Sequence, residues 1–331
     1  MTAQKFQGLS AKEQLREWET VATDPRPRAH TGIEPLDDLL NRRSFGPGEL
    51  VILGGRMHTR KTGVACNIIV NMLKAGVPVG LVGLDESPAS YVSKLASVMS
   101  GVPHTTLGEN WGTKKMGSIR GDYEAMASLL SVTKGYRPTF EQLTGWLETA
   151  DVTGSRPRVV FIDYLSLLAR ARYTKGNAER IQQLAEDLQV WTNDSEVTTV
   201  VLHQVGRQDD TTKRYHGDSP MTPEQLMYGG EQAADIILST FRPTLEPVGN
   251  MTLRQAQAAG IDEDEWGEKV SMVEETRDIT MLQLTKNRPG VELLYRGLPL
   301  RSNGQSQQMR AVENELDDQG RLLTNEGARD E

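Results

Sequence analysis

The sequence predicts an α/β fold, a mostly parallel central sheet flanked by helices, and three observations carry the prediction. Apolar runs rich in Val, Ile and Leu recur along the chain, several nearly continuous, as strands buried on both faces of a parallel sheet require. Between the first two runs, Val64, Ala65, Ile68, Ile69, Met72 and Leu73 recur at helical spacing. The first run ends in Gly54-Gly55 and passes through a polar loop into that helix, a βαβ layout that places helices on both sheet faces.

In chain order, Ser10-Ala11-Lys12-Glu13 reads as a capping box, with the Ser10 hydroxyl accepting from the Glu13 amide. Leu15, Trp18, Val21 and Ala22 continue at helical spacing, and Pro25 and Pro27 end the helix in a stiff linker. Residues 1–30 are thus an N-terminal helical arm, either frayed or packed on a neighbouring subunit. The expected strands are Leu50–Leu53, Val77–Leu84, Val159–Leu165, Thr198–Leu202, Ile236–Phe241 and Ile279–Leu284, within a domain spanning 31–301. Two stretches read as irregular or mobile: Arg207–Pro220, and an acidic insertion over about 243–278 with a helix at Thr252–Ala259. Residues 302–331 form an acidic tail without sustained apolar period, expected to be disordered.

Composition narrows the class. The 331 residues hold one cysteine, Cys66, which excludes an intrachain disulfide and a Cys-rich zinc module. No run of about 18 apolar residues spans a bilayer, and Met1–Ser10 has no apolar secretory core, so a reducing, cytoplasmic setting is expected. The five histidines show no metal-ligand spacing, and no G-x-S-x-G element supports a hydrolase triad. The net charge of −8 argues at first against nucleic acid as a partner. Its distribution reverses that argument: residues 261–278 carry −6 and residues 311–331 carry −5, leaving the other 292 residues at +3.

Gly55-Arg56-Met57-His58-Thr59-Arg60-Lys61-Thr62-Gly63 has the layout of a phosphate-binding loop. Loop amides and the helix N-terminus meet the anion, Lys61 reaches the β- and γ-phosphates of ATP, and the Thr62 hydroxyl ligates Mg²⁺. Arg60 stands where that motif has its second glycine, so its side chain must tolerate the loop's backbone geometry or tilt the loop. About 100 residues on, the strand Val159–Ile162 ends in Asp163, placed to hold the Mg²⁺ water shell.

These residues sit in a wider pattern. Thr31-Gly32 with Leu36-Asp37, Pro47-Gly48-Glu49-Leu50 and the loop, Asp163-Tyr164, His203-Gln204-Val205-Gly206-Arg207, Glu231-Gln232-Ala233-Ala234-Asp235 and Lys286-Asn287-Arg288 occur in the order used by DnaB-type replicative helicases. Over roughly 30–300 the chain resembles the RecA-like P-loop NTPase domain of that family, in a short form reminiscent of bacteriophage members. The resemblance implies an ATP-hydrolysing, ring-forming DNA helicase, hexameric in the family's manner, with active sites at subunit interfaces and a loader or primase as replication partner. It implies Asp85 or Glu86 as the base that activates water, Gln204 as the γ-phosphate sensor, and Arg288, with Lys286 beside it, as the arginine finger into a neighbouring site. It places single-stranded DNA on two loops holding Arg170, Arg172 and Lys175, and Lys213, Arg214 and Tyr215, where cations meet phosphates and a ring stacks on a base. The stretch ahead of Thr31 reads as too short to hold the family's separate N-terminal helical domain, and the capped helix near Ser10–Thr23 is expected in the place of its linker helix. Two other readings share the core: a RecA-like recombinase that forms filaments on DNA, and a KaiC- or RadA-like regulatory ATPase or nucleotide-binding scaffold.

Overall fold

The first apolar run forms β1 (Leu50–Gly55), buried at every residue. The computed structural model describes residues 10–23, 28–133, 137–152, 154–168, 177–205, 217–222, 230–290 and 293–312. Around β1 lie β2 (Val79–Gly83), β3 (Leu130–Val132), β4 (Val159–Asp163), β5 (Thr198–Gln204), β6 (Ile236–Phe241), β7 (Ile279–Asn287), β8 (Leu294–Ser302) and β9 (Met309–Ala311). They make one nine-stranded sheet in the order β3-β2-β4-β5-β1-β6-β7-β8-β9. From β3 to β6 every neighbouring pair is parallel, and from β6 to β9 every pair is antiparallel.

The helices are α1 (Ala11–Ala22), α2 (Glu34–Leu39), α3 (Lys61–Lys74), α4 (Pro88–Ser100), α5 (His104–Asn110), α6 (Gly117–Ala127), α7 (Phe140–Val152), α8 (Asn177–Ser195), α9 (Leu253–Ala258) and α10 (Glu263–Glu275). Alternation along β1 divides the core. Val51 and Leu53 join Val64, Ile68 and Met72 of α3 and Leu95 of α4 on one face. Leu50 and Ile52 join Leu143 and Leu147 of α7 and Leu184 and Leu188 of α8 on the other. Each such leucine, fully removed from water, contributes about 2 kcal/mol. No helix among the described residues is long and apolar enough to cross a membrane.

The capping box at α1 is present: Ser10 Oγ accepts from Glu13 N, and the Glu13 carboxylate accepts from Ser10 N at 2.7 Å. Two elements of the sequence pattern prove to be local staples. The Asp37 carboxylate accepts from Thr31 N and Oγ1, both at 2.8 Å, and from Gly32 N at 2.9 Å, closing the turn ahead of α2. Asn71 of α3 donates to Thr31 O at 2.9 Å, so that turn is seated on the helix behind the phosphate loop. Gly32, at φ +70°, lies so close to Asn71 that a Cβ would overlap its side chain. Glu49 accepts from Gly46 N at 2.7 Å, shaping the turn into β1.

Three expectations change. The insertion over 243–278 is ordered, because Thr252 and Asp262 cap α9 and α10 and Trp266 Nε1 donates to Met251 O at 3.0 Å. Gly249 packs so closely on α10 that a Cβ there would meet Lys269 O at 2.4 Å. The acidic tail does not begin at 302: residues 303–312 turn back and add β9 to β8, with Asn303 N donating to Gln308 O at 2.7 Å. The remainder, 313–331, lies outside the described residues. β3 and β8 were not foreseen: β3 has three half-buried residues, and Gly297 and Pro299 interrupt β8.

Candidate nucleotide site

The loop Gly55–Arg60 links the C-terminal end of β1 to α3, whose first-turn N–H groups have no helical acceptors and face the loop. Gly55, at φ +153°, is required by close approach: a Cβ would lie 2.6 Å from Thr59 Oγ1 and 2.7 Å from Thr240 Oγ1. Those two hydroxyls bond each other at 2.8 Å, and Thr59 Oγ1 also donates to Arg56 O at 2.9 Å. Met57 and His58 are exposed at the tip. Arg242 clamps the loop from behind, with Nη1 on His58 O at 3.3 Å and Nη2 on Arg277 O at 3.0 Å. Burial, with Arg60 nearby, brings the Arg242 guanidinium down to about 10.

Arg60 resolves the irregularity of the motif. It takes the left-handed conformation, φ +63° and ψ +29°, that a glycine would adopt freely, so the loop keeps its path. Its guanidinium then reaches the far strands, bonding Asp278 O at 3.2 Å and Ser302 Oγ at 2.6 Å. Next to it, Gly63 faces Met309 Cε and Gln307, and Asn67 of α3 bonds Gln307 O and Met309 N, each at 2.8 Å. The β8–β9 turn is therefore built onto the helix that carries the loop.

Lys61 Nζ donates to Gly55 O at 2.9 Å and Arg56 O at 2.6 Å, so the ammonium lies inside the loop. Burial pulls it down to about 8, with Asp163 opposing that shift. Thr62 Oγ1 donates to Asp163 Oδ2 at 3.1 Å, joining the loop to the end of β4. Burial raises the Asp163 carboxyl above the usual carboxylate range, while donors from Tyr91 and Thr62 oppose the rise. The residues fit Mg²⁺ and a nucleotide: a hydroxyl and a carboxylate supply hard oxygen donors, and Lys61 has no carboxylate bonded to it among the described residues. Among the described residues no group of three or more His, Cys, Asp or Glu forms a metal cage.

The two base candidates have different surroundings. Glu86 accepts from Ser90 Oγ on one oxygen and from the Lys94 ammonium on the other. Burial would raise Glu86, but the bonds from Lys94 and Ser90 take it below its usual value. Asp85 is exposed and makes no hydrogen bond among the described residues; it and Glu86 are both close enough to Asp163 to bear on its charge. Gln204 closes β5 directly opposite Gly55. Beside it His203 is buried with Nδ1 unpaired among the described residues, and burial with Lys61 nearby holds the imidazole down to about 4.

Lys286 and Arg288 are not at this loop. Lys286 Nζ donates to Glu231 O at 2.6 Å, and Arg288 bonds Asp235 Oδ1 at 2.8 Å and Gln232 O at 3.2 Å. Two separate sequence elements are thus one structural unit. It lies at the Ile236 end of β6, level with Val51, whereas the loop follows Gly55, level with Thr240. Four strand residues, about 13 Å, part the two ends. Arg170, Arg172, Lys175, Lys213, Arg214 and Tyr215 lie outside the described residues. Tyr91, Thr240 and Arg242 were missed as site residues, since a tyrosine in an apolar helix and a threonine or arginine ending a strand carry no spacing signal.

Comparison with known proteins agrees with this geometry. The chain is 25% identical over 223 residues to the replicative DNA helicase DnaB of Helicobacter pylori strain 26695, covering 64% of this chain and 43% of that protein. Against the DnaB of strain J99 it is 24% identical over 216 residues. It therefore spans less than half the length of these curated relatives. The fold matches a solved ATPase domain at TM-score 0.68 and 17% identity, over 93% of this chain and all of that one. It also matches a DnaB-like replicative helicase, solved in a study of its interactions with primase, at TM-score 0.65 and 16% identity, over 93% of this chain and 68% of that one. The family model of the DnaB-like helicase C-terminal domain matches residues 29–292, and the chain belongs to that family.

Proposed function

We propose that this chain is the motor of a DNA helicase, hydrolysing ATP with Mg²⁺ and using the energy to move along single-stranded DNA and part the duplex. One relationship carries the reading: Lys61, Thr62 and Asp163 converge on the loop, while Lys286 and Arg288 stand at the opposite end of the sheet. Phosphoryl transfer needs charge neutralisation from several sides. The chain's own Arg288 is too far from its own loop to contribute, so its target is the loop of a second copy.

Within one site, Lys61 exchanges the carbonyls of Gly55 and Arg56 for phosphate oxygens. Thr62 and Asp163 would hold Mg²⁺, which when bound neutralises charge on the β- and γ-phosphates. Asp85, which unlike Glu86 has no bonded partner among the described residues, would orient and deprotonate the attacking water. Gln204, level with Gly55, would report γ-phosphate loss to the loop that follows β5. A head-to-tail arrangement in which each Arg288 meets the next loop gives a ring where its rotation closes, and on the family's pattern we infer a hexamer. The loops holding Arg170, Arg172 and Lys175, and Lys213, Arg214 and Tyr215, would line its channel and grip the strand. A primase or a loader is the class of protein partner proposed, since one structural neighbour is described with primase.

The test is ATP hydrolysis by the purified chain with and without single-stranded DNA, together with unwinding of a forked duplex. Stimulated hydrolysis and unwinding, both abolished in Lys61→Ala, are expected. Hydrolysis that DNA does not change, with no unwinding, would overturn the motor reading.

A further inference from the structure

Tyr91 is a large, fully buried side chain near the loop, 1% exposed, and no part of the nucleotide chemistry above uses it. It lies in the first turn of α4, which Ser87 caps by accepting from Ser90 N at 3.2 Å. The ring rests on Gly83, where a Cβ would come within 2.2 Å of its Cε2. Gly83 is the residue of β2 paired directly with Asp163 of β4, and Leu84 N donates to Asp163 O at 2.8 Å. A residue with any side chain at 83 would push the ring off this seat.

From that seat Tyr91 Oη donates to Asp163 Oδ2 at 3.0 Å. Thr62 Oγ1 donates to the same oxygen at 3.1 Å. Both donors converge on Oδ2, and Oδ1 has no hydrogen bond among the described residues. A carboxylate held by two donors on one oxygen cannot turn about its Cβ–Cγ bond without losing both. Thr62 would also offer its lone pair to the metal, whereas the Tyr91 hydroxyl bonds nothing else among the described residues. On the same helix, the Lys94 ammonium, 5.9 Å from the ring centroid, and Ser90 both bond the Glu86 carboxylate.

We propose that Tyr91 is a positioning residue for the divalent cation: it locks the Asp163 carboxylate so that its free oxygen faces the Mg²⁺ water shell. The inference rests on the proposed nucleotide site and adds to it the residue that sets how tightly the ion is held. Such outer partners of a ligating or water-holding carboxylate set metal affinity more than they set fold.

The experiment is binding of a fluorescent ATP analogue to the full chain, titrated with Mg²⁺, for wild type and Tyr91→Phe, with melting curves taken without nucleotide. The Phe ring keeps its seat on Gly83, so the core is retained. In Tyr91→Phe the Mg²⁺ concentration for half-maximal tightening is expected to rise about ten-fold or more, while affinity without Mg²⁺ stays within about two-fold, inside the context scatter of a lost contact. An unchanged Mg²⁺ midpoint in a folded variant overturns the proposal. Should Tyr91→Phe not fold, Tyr91→Leu, which also lacks the donor, is read by the same two outcomes. If wild type binds no nucleotide at any Mg²⁺ concentration, it is the site reading itself that fails, a result distinct from an unchanged midpoint.

Discussion

Arg60 and Ser302 lie 242 residues apart in sequence and are joined by a 2.6 Å hydrogen bond from guanidinium to hydroxyl. The bond explains how an arginine can occupy the left-handed position that opens α3. The backbone is disfavoured there by about 1–2 kcal/mol for a non-glycine residue, and the side chain offsets this by tying the loop to β8 and to Asp278 O.

Arg60→Ala keeps the disfavoured backbone and loses both bonds, whereas Arg60→Gly loses the bonds but removes the strain. Chemical denaturation is expected to rank wild type and Gly close together and Ala about 1–2 kcal/mol lower. An Ala variant as stable as the Gly variant would mean that the left-handed conformation carries no strain.

Nucleotide binding should take up a proton near pH 9. The Lys61 ammonium is held at about 8 against an ordinary 10.5, so above pH 8 it is largely neutral, and phosphate charges restore its higher value. Calorimetry at pH 9 in two buffers of different ionisation heat should give uptake approaching one proton, absent in Lys61→Ala. Equal heats in both buffers for wild type count against this.

Acid should destabilise the fold through His203. Its folded value of about 4 lies below the ordinary 6.5, so between those values the unfolded chain binds a proton that the folded chain refuses. Stability therefore falls as pH drops through that window, by about 3 kcal/mol at its lower end, and is unaffected by this group above it. The difference in unfolding free energy between wild type and His203→Gln, followed from pH 7 to 4, should close by that amount. A constant difference would show that His203 is not the group responsible.

Shortening the chain should separate the acidic tail from the folded edge. Ending it after Val312 is expected to leave the melting temperature unchanged. Ending it after Ser302 removes Gln307 and Met309, the partners of Asn67, together with β9, and should lower melting by several degrees. A tail truncation meant to probe DNA affinity must therefore be cut after 312, because a cut at 302 also disturbs the helix behind the loop.

The central strands were legible because burial on both faces leaves near-continuous Val, Ile and Leu, as in Val159–Ile162. The edges were not. β8 carries Arg296, Gly297 and Pro299, and its pairing is dictated by β7 rather than by any period of its own. The acidic insertion read as irregular because its order comes from caps and from the contact of Gly249 with α10, which composition hides. In the site, Lys61, Thr62 and Asp163 were legible through motif spacing. That Glu86 and not Asp85 is bonded was not legible, since it depends on Lys94 lying one helical turn past Ser90.

The distance between Lys61 and Arg288 has a consequence for mixtures. On the proposed arrangement, each chain would own the front half of one site and the back half of another. Lys61→Ala chains and Arg288→Ala chains would each be inert alone, yet each would retain the half that the other lacks. Combined in equal amounts before assembly, they would regenerate about a quarter of the interfaces intact, so two dead proteins would share one partly living enzyme. Complementation of this kind is open only to a protein whose site is divided between copies.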